Sequence, residues 1–194
     1  MLRHEPTSPA RQPFTGEDRT QAPSVAGALA AAPDDPSQLS GAALVERIVE
    51  QHHRYARRAL PYVVALLGKV TARHRAGNAK LAALCEAGEE LADALDSCLD
   101  DEERDLFPAL LAGAPAGEGV RRDLDGMYRR HRELRLLLAR IRWLADDFAV
   151  PACGGQSYQV LMEELEALEA NLLEHIHLER VLFGPRLSAL CVPC

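Results

Sequence analysis

The sequence predicts an all-α fold, an antiparallel up-down four-helix bundle behind a disordered N-terminal tail. Three observations predict it. No stretch alternates apolar and polar residues between turn signals, as a strand would. Four long stretches repeat apolar residues at helical spacing. The breaks between them are short and rich in Gly, Pro and Ala, which suits antiparallel neighbours.

Residues 1–40 form the predicted tail: Pro- and Ala-rich, without a sustained apolar period, and too polar to offset the entropy of ordering. The bundle is predicted over 41–187. Ser40 is placed as the N-cap of the first helix, whose face carries Leu44, Ile48, Val49, His52 and Leu60, with Pro61 expected to kink or divide it. The second helix spans about 79–111, with a kink expected at Pro108, and "AGAPAGEG" follows as a loop. The third spans about 120–148 and is closed by "VPACGGQ". The fourth runs from about Ser157 to Phe183, where Gly184-Pro185 is expected to interrupt it. Residues 188–194, ending "CVPC", are a predicted flexible tail.

Charge and composition narrow the function. A net charge of -7 argues against a nucleic-acid surface, which needs clustered Lys and Arg. No signal-peptide pattern opens the chain and no run of about 18 uncharged apolar residues occurs, so a soluble cytoplasmic protein without membrane partners is expected. Five scattered cysteines, an odd number, suggest reduced thiols rather than a disulfide framework.

The chemistry lies in two stretches that share one frame, "CLDDEERDLFP" from Cys98 and "HIHLERVLFGP" from His175. In each, a ligand-type residue is followed four positions later by Glu (Glu102, Glu179), then by Leu-Phe and Pro. Residues at i and i+4 share a helix face, so Cys98/Glu102 and His175/Glu179 each make a two-toothed ligand set. Helix bundles build dinuclear sites from inward-facing pairs of this kind. His53 and His74 lie 21 residues apart on the first helical segment, which ideal periodicity turns about 60° from each other. His131 supplies a residue from the third helix. Imidazole with carboxylate suits iron, manganese or zinc, and bridging carboxylates suit a metal pair. His4 falls in the tail, while His52 and His177 flank ligands and are read as supporting or packing residues.

"HRYARRALP" from His53, "ARH" ending at His74, "EERDLFP" from Glu102, the His131 segment and "EHIHLERVLFGPR" together resemble the hemerythrin-like di-iron domain of the iron–sulfur cluster repair family, which responds to nitric oxide. The resemblance covers about residues 43 to 187. It implies two non-haem iron ions (Fe2+/Fe3+), carboxylate- and oxo-bridged, held by His53, His74, His131 and His175 with Glu102 and Glu179 as bridges. Cys98 stands where the family has His; a bound thiolate is charged and softer than imidazole, and is expected to lower the iron potential. The family's Glu-His-Asp-Glu around its third-helix histidine is here Arg130-His131-Arg132-Glu133. The family often carries an N-terminal domain with adjacent cysteines, and residues 1–40 contain no cysteine.

Of the other cysteines, Cys191 and Cys194 read either as a redox or metal-handoff pair or, more simply, as two exposed thiols. Cys85 is expected in the core beside Leu81 and Leu84, and Trp143 likewise. Tyr55 is expected to pack between helices. The function implied is binding of nitric oxide at the di-iron centre, with sequestration or reduction of it in support of iron–sulfur cluster repair. Reversible binding or sensing of dioxygen and iron donation are the alternatives. Whether the chain is an enzyme, a di-iron nitric oxide reductase, is left open. The partners implied are nitric oxide or dioxygen, an electron donor and iron–sulfur proteins.

Overall fold

The computed structural model of the chain describes residues 35–190 apart from 75 and 113–117, with backbone only for 185–190. Four helical rods build the bundle. The first is α1 (Gly41–Arg47), a π-helical turn (Ile48–His53) and α2 (Arg54–His74). The second is α3 (Lys80–Asp101), a second π turn (Glu102–Leu106) and α4 (Phe107–Leu111); the third is α5 (Glu118–Leu144) and the fourth α6 (Gly155–Leu190). α2 packs against α3 and α6, and α5 against α3 and α6, which closes the ring. Among the described residues there is no strand, and no helix is long and apolar enough to cross a membrane.

Ser40 caps α1 as its sequence predicts, its hydroxyl accepting from the Ala43 N–H at 3.2 Å. Just before it, within the predicted tail, Pro36–Gln38 forms a 3-10 turn because Asp35 accepts from the Ser37 N–H and proline presets φ. The rest of the predicted tail (1–34), with His4, and Cys191 and Cys194 lie outside the described residues.

The prolines divide nothing. Pro61 sits inside an unbroken α2, on its exposed side, where water can satisfy the carbonyl it frees. Pro108 falls in the first turn of α4, where its missing N–H is not needed. α6 continues through Gly184 and Pro185 to Leu190, since a φ near -65° is itself helical and a proline removes one hydrogen bond without ending the helix. The third helix stops at Leu144, short of the predicted Phe148, because Asp146, Asp147 and Phe148 take left-handed φ of 51°, 54° and 62°. This turn returns the Phe148 ring to the core, under the Arg142 guanidinium.

Two expected core residues lie further out. Trp143 is 66% exposed and carries the Lys80 ammonium over its ring. Ile141 and Leu144 hold the inward face of α5, so a residue two positions past Ile141 points away from it. Cys85 is only half-buried, at the edge of the core beside Glu89.

The core falls into two apolar clusters. One runs from Tyr55 through Leu67, Leu84, Leu95, Leu134 and Leu165 to Leu172. The other gathers Ile48, Leu106, Phe107, Met127, Leu178 and Phe183. Between them lies a layer of buried ionisable side chains.

Candidate metal centre

Every rod contributes to this layer. His53 closes the first π turn, Cys98 and Glu102 come from the α3 end and the second π turn, His131 from α5, and His175 and Glu179 from α6. All six are buried, with His53, Cys98, Glu102 and Glu179 at 0% exposure. π turns are rare and concentrate at functional sites; here each holds one of these residues, His53 or Glu102.

The carboxylates divide the layer into two faces. On one, His53 Nε2 and His175 Nε2 meet at 3.1 Å. Glu102 Oε2 lies 3.5 Å from the first and 3.7 Å from the second, and Glu179 Oε1 lies 3.3 Å from His175 Nε2. On the other, Glu102 Oε1 accepts from Cys98 Sγ at 3.0 Å and lies 3.4 Å from His131 Nε2. Glu179 Oε2 lies 2.8 Å from the same His131 nitrogen. Glu102 therefore turns one oxygen to His53 and His175 and the other to His131 and Cys98, and Glu179 turns one oxygen to His175 and the other to His131.

Glu103 is a participant that sequence reasoning missed. It lies next to Glu102, yet reaches His53 Nδ1 at 2.8 Å while Arg57 holds the same carboxylate oxygen at 3.2 Å. Accepting the Nδ1 proton leaves the His53 Nε2 lone pair facing the layer, the tautomer a metal ligand needs. The only hint in the sequence is the doubled glutamate, and the π turn that positions it leaves no sequence signature. Glu103→Ala is expected to lower metal affinity about 10- to 100-fold with the fold intact. Competition with a calibrated chelator, alongside circular dichroism, measures this.

The electrostatics suit a cation. Burial alone would raise Glu102, but hydrogen bonds from His131 and His175 hold its carboxyl well below the usual range. Burial works against a charged His175 as well, yet Glu179 and Glu102 raise it to about 10. His131 is raised, against the pull of burial, by its bonds to the same two carboxylates. His53 is lowered by burial and then by His175. Burial, followed by Glu102, pushes the Cys98 thiol up, and the nearby Arg130 opposes this. In a metal-free chain, the proton on His175 thus supplies positive charge that a metal ion would otherwise bring, and metal uptake must displace it. His52, behind the ring of His175 with centroids 6.2 Å apart, is lowered to about 4, first by burial and then by His175.

His74 is not brought to this layer. It ends α2, a full 21-residue helix away from His53, with its ring edge-on to Tyr158 at 5.7 Å. The three-heptad spacing keeps the two histidines on similar faces, but α2 continues unbroken through Pro61 and carries them to opposite ends. His74→Ala is expected to leave metal content unchanged; a fall in bound metal on elemental analysis would return it to the site. Tyr55 packs in the core as expected, its hydroxyl raised to about 12 by burial and then by Glu164.

The donor set fits a metal. Glu102 Oε2 and both Glu179 oxygens are buried and face only imidazole Nε2 atoms, at 2.8 to 3.7 Å, with no other polar partner. Leaving such groups uncompensated costs several kcal/mol. His53, Glu102, His175 and Glu179 bring one ligand atom each to within 4.8 Å of one another, and so do Cys98, Glu102 and His131. A cleft of about 280 Å³ reaches the layer at His131, walled by Tyr128, Arg132, Arg135, Ile176 and Arg180.

Residues 44–187 match the family profile "Hemerythrin HHE cation binding domain". The chain is 32% identical over 141 residues to the iron–sulfur cluster repair protein YtfE of Edwardsiella ictaluri, covering 72% of this chain and 62% of the relative. It is 28% identical to YtfE of Musicola paradisiaca over 74% of this chain and 64% of that protein. To the iron–sulfur cluster repair protein DnrN of Neisseria gonorrhoeae it is 31% identical, over 73% of this chain and 88% of the relative. The chain thus spans under two thirds of the two YtfE relatives. The buried histidine and glutamate layer has the donors a cation-binding domain needs, and the chain belongs to the hemerythrin HHE cation-binding family, among its iron–sulfur cluster repair members.

Proposed function

We propose that this chain holds two non-haem iron ions and uses them to bind nitric oxide, sequestering or reducing it in support of iron–sulfur cluster repair. One observation carries the reading: Glu102 and Glu179 each turn one oxygen to each side of the layer, as two carboxylates bridging a metal pair would. His53 and His175 would hold one ion, His131 and Cys98 the other. The iron supplies the electron density and redox reach that bind and reduce a diatomic ligand.

The chain's own residues do the rest. Glu103 fixes the ring of His53 and its tautomer. Ile48, Phe107, Met127 and Leu178 on one side, and Leu99, Leu134 and Leu172 on the other, keep the layer dry. That raises the electrostatic weight of every ligand charge. The His131 end, 4% exposed, opens on the cleft through which a small ligand enters. The names of the relatives support the repair role. The test is the optical spectrum of the reduced, iron-loaded chain, recorded anaerobically before and after nitric oxide. A new band is expected, and an unchanged spectrum would contradict the proposal.

A further inference from the structure

The chain carries a net charge of -7, yet its cleft onto the metal centre is walled by arginine. Arg132 and Arg135 come from α5 and Arg180 from α6, all exposed, with the buried His131 at the inner end. Several arginines elsewhere rest on carboxylates, among them Arg57 on Asp100 and Glu103, Arg130 on Asp101, Arg140 on Glu90 and Arg142 on Glu169. Arg132, Arg135 and Arg180 make no ion pair or hydrogen bond among the described residues, even though Glu133 follows Arg132 directly. Three guanidinium groups facing one concavity without a counter-charge repel each other, and an anion between them relieves this. Their planar donor forks match carboxylates two bonds at a time.

Size narrows the class of anion. A cleft of about 280 Å³ stands at the small end of ligand pockets, which run from ~300 to 1,000 Å³. A short organic acid fills it better than a lone inorganic oxyanion. With Tyr128 and Ile176 in the wall, the cleft also has apolar surface for a carbon backbone.

From these observations we infer that the cleft binds a small di- or tricarboxylate anion and holds it against the His131 edge of the metal centre. The inference rests on the iron reading for its purpose: a polycarboxylate presents oxygen donors to a metal ion, so the cleft is where iron enters or leaves as a carboxylate complex. The anion site itself stands on the arginines alone.

The test is calorimetric titration of the full chain with succinate and, in parallel, with sulfate, using both iron-loaded and metal-stripped protein. Saturable succinate binding is expected in both forms, and tighter than sulfate. Arg132→Gln with Arg135→Gln, and separately Arg180→Gln, are expected to weaken it about tenfold or more. Arg140→Gln, outside the cleft, should leave it unchanged. Absence of succinate binding, or binding that survives the cleft substitutions, overturns the proposal; sulfate bound as tightly as succinate overturns the carboxylate assignment. Succinate binding by a chain that takes up no iron would support the cleft and refute the metal reading alone, so the two failures are distinguishable.

Discussion

Glu102→Ala is expected to reduce bound metal from about two ions per chain to one or fewer, the largest effect of any single substitution at the centre. Glu102 is the carboxylate that all the other donors except Glu179 approach: Cys98, His131, His53 and His175 each lie within 3.7 Å of one of its oxygens. Losing it removes a donor from both faces, so the loss of affinity should exceed the ~10- to 100-fold that follows removal of a supporting residue. The metal-free form suffers as well, because the raised His131 and His175 lose a buried counter-charge. Removing one partner from a buried pair costs about 3–5 kcal/mol. Elemental analysis with chemical denaturation of the metal-free chain checks both parts. A variant that keeps two ions per chain would show that Glu102 bridges nothing.

Cys98→His is expected to retain two ions per chain while raising the reduction potential and abolishing any sulfur-to-metal absorption band. The Cys98 sulfur is fully buried and 3.0 Å from Glu102, and it clusters with Glu102 and His131 as a donor to the second ion of the proposed pair would. A bound thiolate adds a negative charge that a neutral imidazole lacks, and its removal favours the reduced metal. Arg130, which pairs with Asp101 at 3.5 Å and opposes the rise of the Cys98 thiol, is the nearby cation suited to that extra charge. Cys98→Ala, which provides no donor, should lower affinity at that position by more than tenfold. Identical spectra and potentials for Cys98 and Cys98→His chains would place the sulfur outside the ligand set.

Much of this was legible in the sequence because helical periodicity is local. The i, i+4 pairs Cys98/Glu102 and His175/Glu179 meet wherever a helix forms, and they meet here. The all-α bundle followed from apolar spacing, and the Ser40 cap from residue type and position. Long-range placement was harder to read. His74 ends the helix that His53 leads into, and the unbroken 21 residues of α2 set them roughly 30 Å apart. Glu103 escaped notice because a π turn, rather than the 3.6-residue period, decides which of two adjacent glutamates also faces a histidine. Trp143 was misplaced because its size suggested burial, while Ile141 and Leu144 had already claimed the inward face. The proline signals overstated breaks, since a proline on an exposed face or in a first turn costs little.

Iron quantification per chain, made on anaerobically purified full-length protein, tests the paired centre most directly. About two irons per chain are expected from carboxylates that each serve both faces. A folded chain carrying one iron or none would mean that Glu102 and Glu179 hold their histidines by charge alone, and that the paired metal centre does not exist here.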